Sequence, residues 1–182
     1  MHRRALIYLA LIIGLIATSC SQKIVFTAKL RNKLEKQDVN LKDIQFYNSD
    51  KITLEREEER PEEYSVRSGT VKVEEGRIME EIIIKKKTPG VCVEVHPYHL
   101  NISFEPGSDK VLKFGRKAGR HLTNTFKLYA KEWKGERGKI QYGDTTYQTD
   151  KKAASSHLLV KKSQVYELIR EKRVAEGRKI SE

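Results

Sequence analysis

Val91 to Phe104 reads VCVEVHPYHLNISF. Apolar residues recur at every second position, first at Val91, Val93 and Val95 and then at Leu100, Ile102 and Phe104. A period of two marks a strand with one buried face. The pattern predicts that the three valines face a core and that Cys92, Glu94 and His96 share the opposite face.

The same period extends upstream. Thr88-Pro89-Gly90-Val91 has Pro and Gly where a type II turn needs them. Before it stand Lys85, Lys86 and Lys87, and then Ile78 to Ile84, whose Ile82-Ile83-Ile84 run predicts a strand buried on both faces. Val71 and Val73 predict a short strand turning at Glu75-Gly76. Residues 55–63 (EREEERPEE) are acidic and contain a proline, so they read as a solvated loop. Ile44 and Phe46, then Ile52 and Leu54, predict a hairpin around Asn48-Ser49-Asp50. Only before this does the period lengthen. Phe26, Leu30 and Leu34 are four apart, which predicts a tether running into a short helix within Ile24 to Gln37.

Downstream, Glu105 to Asp109 turns the chain into a strand from Val111 to Phe114. Gly115 to Arg120 (GRKAGR) is a basic loop. A long strand is predicted from Leu122 to Trp133, with Phe126, Leu128 and Ala130 on one face. Turns at Gly135 to Gly138 and at Gly143-Asp144 lead into Ile140 and Tyr142, and into Thr146 to Thr149. A strand follows at His157 to Lys161, and Gln164 to Glu176 can form a helix. Short strands at regular spacing imply a mainly β, antiparallel, sandwich-like single domain with a short N-terminal helix and a possible C-terminal helix.

The chain carries a net charge of +11 over 182 residues. Its basic excess lies in the second half: residues 20–105 are nearly neutral and residues 106–182 carry net +10. Such a balance suits a polyanion, or simply a solvated basic surface.

The first residues differ in kind. His2, Arg3 and Arg4 precede an apolar run of 13 residues, Ala5 to Ala17. This is the chemistry of an export signal. At about 1.5 Å per residue the run is too short to span a hydrocarbon core of roughly 30 Å. The residues that follow, Ala17-Thr18-Ser19-Cys20, resemble the lipobox of bacterial lipoproteins. That resemblance covers residues 1–20 alone. It implies cleavage before Cys20, diacylglycerol on its sulfur, and a domain held on a membrane by lipid. Ser21 in place of Asp leans toward the outer membrane, with the domain facing the periplasm. Export also argues against nucleic acid as a partner. The expected division is a signal peptide at 1–19, a lipid-anchored tether and short helix at 20–43, a β domain at 44–163, and a C-terminal helix or tail at 164–182.

Two clusters resemble reactive sites. Cys92, Glu94 and His96 would share a strand face, but neighbours two apart on a strand are about 6.5–7 Å apart, too far for a Cys92–His96 hydrogen bond. His96 and His99 could hold a metal, yet the cysteine pairs of structural zinc are missing. There is no Walker loop and no serine elbow. Neither catalysis nor a cofactor or metal is therefore expected. The leading expectation is a scaffold or accessory subunit of an envelope assembly, bound to an envelope protein. The alternative is recognition of an anionic glycan or lipid such as lipopolysaccharide. Its anion-binding candidates are Lys85, Lys86, Lys87, Arg116, Lys117 and Arg120, with Tyr98, Tyr129, Trp133, Tyr142 and Tyr147 as stacking surface.

Overall fold

The computed structural model describes residues 22–58, 70–74, 77–107, 109–116 and 124–170. Cys20, Lys117 and Arg120 lie outside them, as do the turn at Glu75-Gly76 and the chain beyond residue 170.

The architecture is two antiparallel sheets with little helix, as the spacing of apolar residues predicts. The first sheet contains β1 (Lys23–Val25), β2 (Gln45–Asn48), β6 (Pro89–Val95), β7 (His99–Ser103), β8 (Val111–Gly115), β9 (Lys127–Leu128) and β13 (Leu158–Lys161). Their order is β1-β13-β2-β6-β7-β8-β9. The second contains β3 (Ile52–Glu58), β4 (Thr70–Glu74), β5 (Arg77–Ile84), β10 (Glu132–Lys134), β11 (Arg137–Tyr142) and β12 (Thr145–Asp150), ordered β10-β11-β12-β3-β5-β4. Helices α1 (Ala28–Glu35), α2 (Lys151–Ala154) and α3 (Lys162–Leu168) and a short 3-10 turn at Leu41–Asp43 complete the described chain. None of these helices is long and apolar enough to cross a membrane.

The first sheet curls. Leu128 N–H donates to Ser156 O at 2.8 Å and Leu158 N–H to Phe126 O at 3.0 Å, so the β9 end returns to the start of β13. Inside the curl lie Phe26, Phe46, Phe114 and Phe126, each with no exposed surface. Phe26 meets Phe46 edge-on at 5.1 Å and Phe126 at 5.2 Å. Each such ring contributes about 1.5–3 kcal/mol over its exposed state.

Several local expectations are corrected. Asn48-Ser49-Asp50 does not close a hairpin, because β2 and β3 belong to different sheets. It is a buried corner. The Asn48 amide donates to Asp50 O at 2.7 Å and Lys85 O at 2.8 Å, tying one sheet to the other. β3 runs on to Glu58, so the acidic stretch begins as strand. Ile83 is 43% exposed while Ile84 is buried, so β5 is not covered on both faces. No turn forms at Pro89-Gly90. Gly90 lies in β6 opposite Phe46, and a Cβ there would sit 2.7 Å from the Phe104 ring. Lys87 has the positive φ of 62° instead, in the turn before β6.

The valine face is inverted. Val91 and Val95 are exposed, and Cys92 points into the core. Cys92 pairs with the buried Ile102 and takes its face, which leaves Val91 outward, and the register shift between Cys92 and Glu94 then breaks the alternation, so Glu94 and Val95 are both exposed.

At the N-terminus Lys23–Val25 is an edge strand, where a tether running into a helix is expected. Thr27 caps α1, its Oγ1 accepting from Leu30 N–H at 3.1 Å. The buried face of α1 is Ala28, Arg31 and Leu34; Phe26 belongs to the strand side. Leu122 to Trp133 is also not one strand. The chain leaves the first sheet after Leu128 and enters the second at Glu132. α3 begins at Lys162, two residues before the predicted start.

Candidate functional site

The crossing from β9 to β10 builds the most distinctive surface. Phe126, Leu128 and Ala130 are buried, so Lys127, Tyr129 and Lys131 must point outward. The backbone of this crossing is fixed on both sides. Tyr129 N–H donates to Lys113 O of β8, and Lys131 N–H to Lys139 O of β11, both at 2.8 Å. Tyr129 is 51% exposed and Trp133 39%. Trp133 faces Gly138 across the β10–β11 pair, and a Cβ on Gly138 would lie 2.9 Å from the indole. The ring therefore lies over the glycine.

Tyr129 and Trp133 line a groove of about 560 Å³ with Gly115, Leu128, Ala130, α2 and the aliphatic parts of Lys127 and Lys151. A second depression of about 390 Å³ lies beside it. It shares Tyr129 and adds Asn101, Asp109, Lys113 and Lys131. The Lys113 ammonium stands 5.6 Å from the Tyr129 ring centre. Lys151 pairs with Glu136, whereas Lys113, Lys127 and Lys131 form no ion pair among the described residues. The larger groove is lined by no carboxylate, imidazole or thiol among the described residues. It presents flat aromatic faces edged by Lys127 and Lys151.

The residues singled out for reactivity are arranged differently. The Cys92 thiol donates to Glu94 O at 3.3 Å. Burial pushes its pKa up to about 11, against the smaller pull of Lys42 and Arg31. A thiol so placed is a core side chain, because the nucleophile is the thiolate. Glu94 Oε2 accepts from Asn101 at 2.7 Å and contacts His96 Nε2 at 3.2 Å. These bonds hold the Glu94 carboxyl below its ordinary pKa. His96 and His99 stack at 4.1 Å with an interplanar angle of 17°. Ring nitrogens carry their lone pairs in the ring plane. Stacked, near-parallel rings therefore do not aim them at one point, as a shared metal would need. Arg31 holds the turn below from α1, donating to His96 O at 2.8 Å and Pro97 O at 3.2 Å.

Of the expected anion-binding residues, the four among the described residues form two separate groups, while Lys117 and Arg120 lie outside the described residues. Lys85, Lys86 and Lys87 occupy the turn before β6, and Lys86 lies 3.7 Å from Asp50. Arg116 follows β8, where Gly115 pairs with His99 beyond the far end of β6. The seven residues of β6 separate the two groups by roughly 20 Å. Among the aromatics, Tyr98 is exposed, but Tyr142 and Tyr147 are core residues. Their hydroxyls donate to Glu105 at 3.0 Å and Glu80 at 3.2 Å. Burial beside Glu105 raises the Tyr142 pKa.

Lys113, Lys127 and Lys131 escaped the sequence reading. The signal for two of them was present, because a buried Phe126-Leu128-Ala130 face leaves Lys127 and Lys131 on the other side with Tyr129. Lys113 joins only through the β8 pairing. Neither a family model, nor a curated protein, nor a solved structure matches this chain.

Proposed function

We propose that the protein is a lipid-anchored, non-catalytic accessory lipoprotein of a bacterial envelope assembly, and that it presents the Tyr129–Trp133 groove to a protein partner. The observation that carries the reading is the groove. Two half-exposed aromatic rings are held by backbone bonds and by Gly138, with Lys127 at the rim forming no ion pair among the described residues. Rigid aromatic anchors with a polar rim are what a binding surface needs. The lipobox-like Ala17-Thr18-Ser19-Cys20 supports the membrane location, on the outer membrane facing the periplasm. The test is affinity purification of the tagged protein from detergent-solubilised membranes, with mass spectrometry of co-eluting chains. Envelope proteins retained at fixed ratio through a salt wash support the reading. A chain that elutes alone overturns it.

The second reading places an acidic glycan or lipopolysaccharide in the same groove. It is favoured by Lys127 in the groove and by Lys113 and Lys131 in the adjoining depression, on the two sides of the Tyr129 ring. Exposed cation contacts are screened, so such a ligand should leave in salt.

A further inference from the structure

The first described residue is already fixed. Gln22 O accepts from Lys162 N–H at 2.8 Å. From there β1 pairs with β13 in the register Lys23–Lys161, Ile24–Val160 and Val25–Leu159. Cys20 is two residues earlier in sequence. Two residues at full extension span only about 7 Å. A lipid on Cys20 would therefore hold the β1 edge at the level of the head groups, with no leash for the domain to stand off.

That edge has matching chemistry. Lys23 and Lys161 are directly opposite, a like-charged pair that weakens a sheet unless an external anion answers it. Lys162 comes next in the chain. None of the three has an ion pair among the described residues. Lys23 and Lys162 instead rest over tyrosine rings, at 4.3 Å from Tyr47 and 5.6 Å from Tyr166. Tyr166 is 57% exposed, and Val25, on the same outer face as Lys23, is 37% exposed. Amphipathic tyrosines and long lysines suit the water–lipid boundary.

We infer that the β1–β13 edge, through Lys23, Lys161, Lys162 and Tyr166, lies on anionic phospholipid head groups of the membrane that carries the Cys20 lipid. The inference rests on the lipid-anchored reading above. It also orients the groove. Ser155 lines the groove just before β13, and Lys161 ends that strand, so the two surfaces lie at opposite ends of it. With the lysine end on lipid, the Ser155 end of β13, which lines the groove, is the end farther from the membrane. Each lysine at such a surface adds about a fivefold preference for anionic lipid, screened over about 8 Å at physiological salt.

The experiment uses the mature protein purified from membranes and reconstituted into phosphatidylcholine vesicles with or without phosphatidylglycerol. An amine-reactive ester labels exposed lysines, and mass spectrometry reads the rate at each. Lys23, Lys161 and Lys162 should label several-fold more slowly in the anionic vesicles, while Lys113 and Lys127 keep the same rate in both. Equal rates at the three edge lysines overturn the inference alone. Intact mass is measured on the same sample. A chain without acyl mass on Cys20 overturns the anchored reading and the inference together.

Discussion

Tyr142 and Tyr147 differ from Tyr129 and Trp133 in what their rings are for. The first pair is buried, the rings meet edge-on at 6.2 Å, and both hydroxyls are spent on carboxylates. The second pair is half exposed, and its positions are set by backbone bonds and a glycine rather than by enclosure. Rings of the first kind stabilise the fold. Rings of the second kind leave apolar faces available, and removing them costs the fold little.

The core side of this contrast should break most severely. Phe126→Ala empties a fully buried site against Phe26 and should cost about 3–5 kcal/mol in denaturant unfolding. Trp133→Ala should cost less than about 1 kcal/mol, because the indole is 39% exposed and lies over Gly138 on an exposed strand. Similar losses for the two would remove the distinction.

Next in size is Asn48→Ala at the corner between sheets. It removes two amide hydrogen bonds and leaves the carbonyls of Asp50 and Lys85 to Ser156 and Thr88, at a cost of about 0.5–1.5 kcal/mol for each bond lost.

Gly138→Ala sharpens the contrast from the groove side. The added Cβ pushes on the ring of the chain's single tryptophan, so intrinsic fluorescence should shift, with a stability loss of about 1–3 kcal/mol. An unchanged emission spectrum would show that Gly138 does not place the indole.

The smallest effect concerns acid. Burial, then His96, Lys113 and Arg31 hold the His99 pKa below the ordinary histidine value, with Glu94 acting in the other direction. The unfolded chain therefore binds the proton first as pH falls, and stability declines from the ordinary histidine range downward. His99→Gln should lose less stability than the native chain between neutral and mildly acid pH. A parallel decline in both would rule out His99 as the source. Glu94, whose pKa is lowered, adds a separate loss at lower pH.

Which of these features could be read in advance follows from what periodicity encodes. Alternation marks two faces, and it puts Phe126, Leu128 and Ala130 together on one, which the fold buries. It does not say which sheet a strand joins, so Asn48-Ser49-Asp50, with ordinary turn residues, passed for a hairpin. Nor does it show a bulge. Three valines at period two looked like a core face, while the thiol between them took that place. Gly90 had the right neighbour for a turn, yet its role is to admit Phe104, a long-range contact with no local signal. The groove fails to show for the same reason, since Lys113, Tyr129, Trp133 and Lys151 meet only when both sheets are in place.

The most direct measurement compares three tagged proteins purified from solubilised membranes: the native chain, Tyr129→Ala/Trp133→Ala, and Lys85→Gln/Lys86→Gln/Lys87→Gln. Each is first checked for a folded state by protection of Cys92, whose buried thiol should react with a disulfide reagent only after unfolding. The groove account predicts that the native chain and the lysine variant retain the same co-eluting envelope proteins through salt, and that the aromatic variant loses them. Retention by the aromatic variant, with loss from the lysine variant, would contradict it.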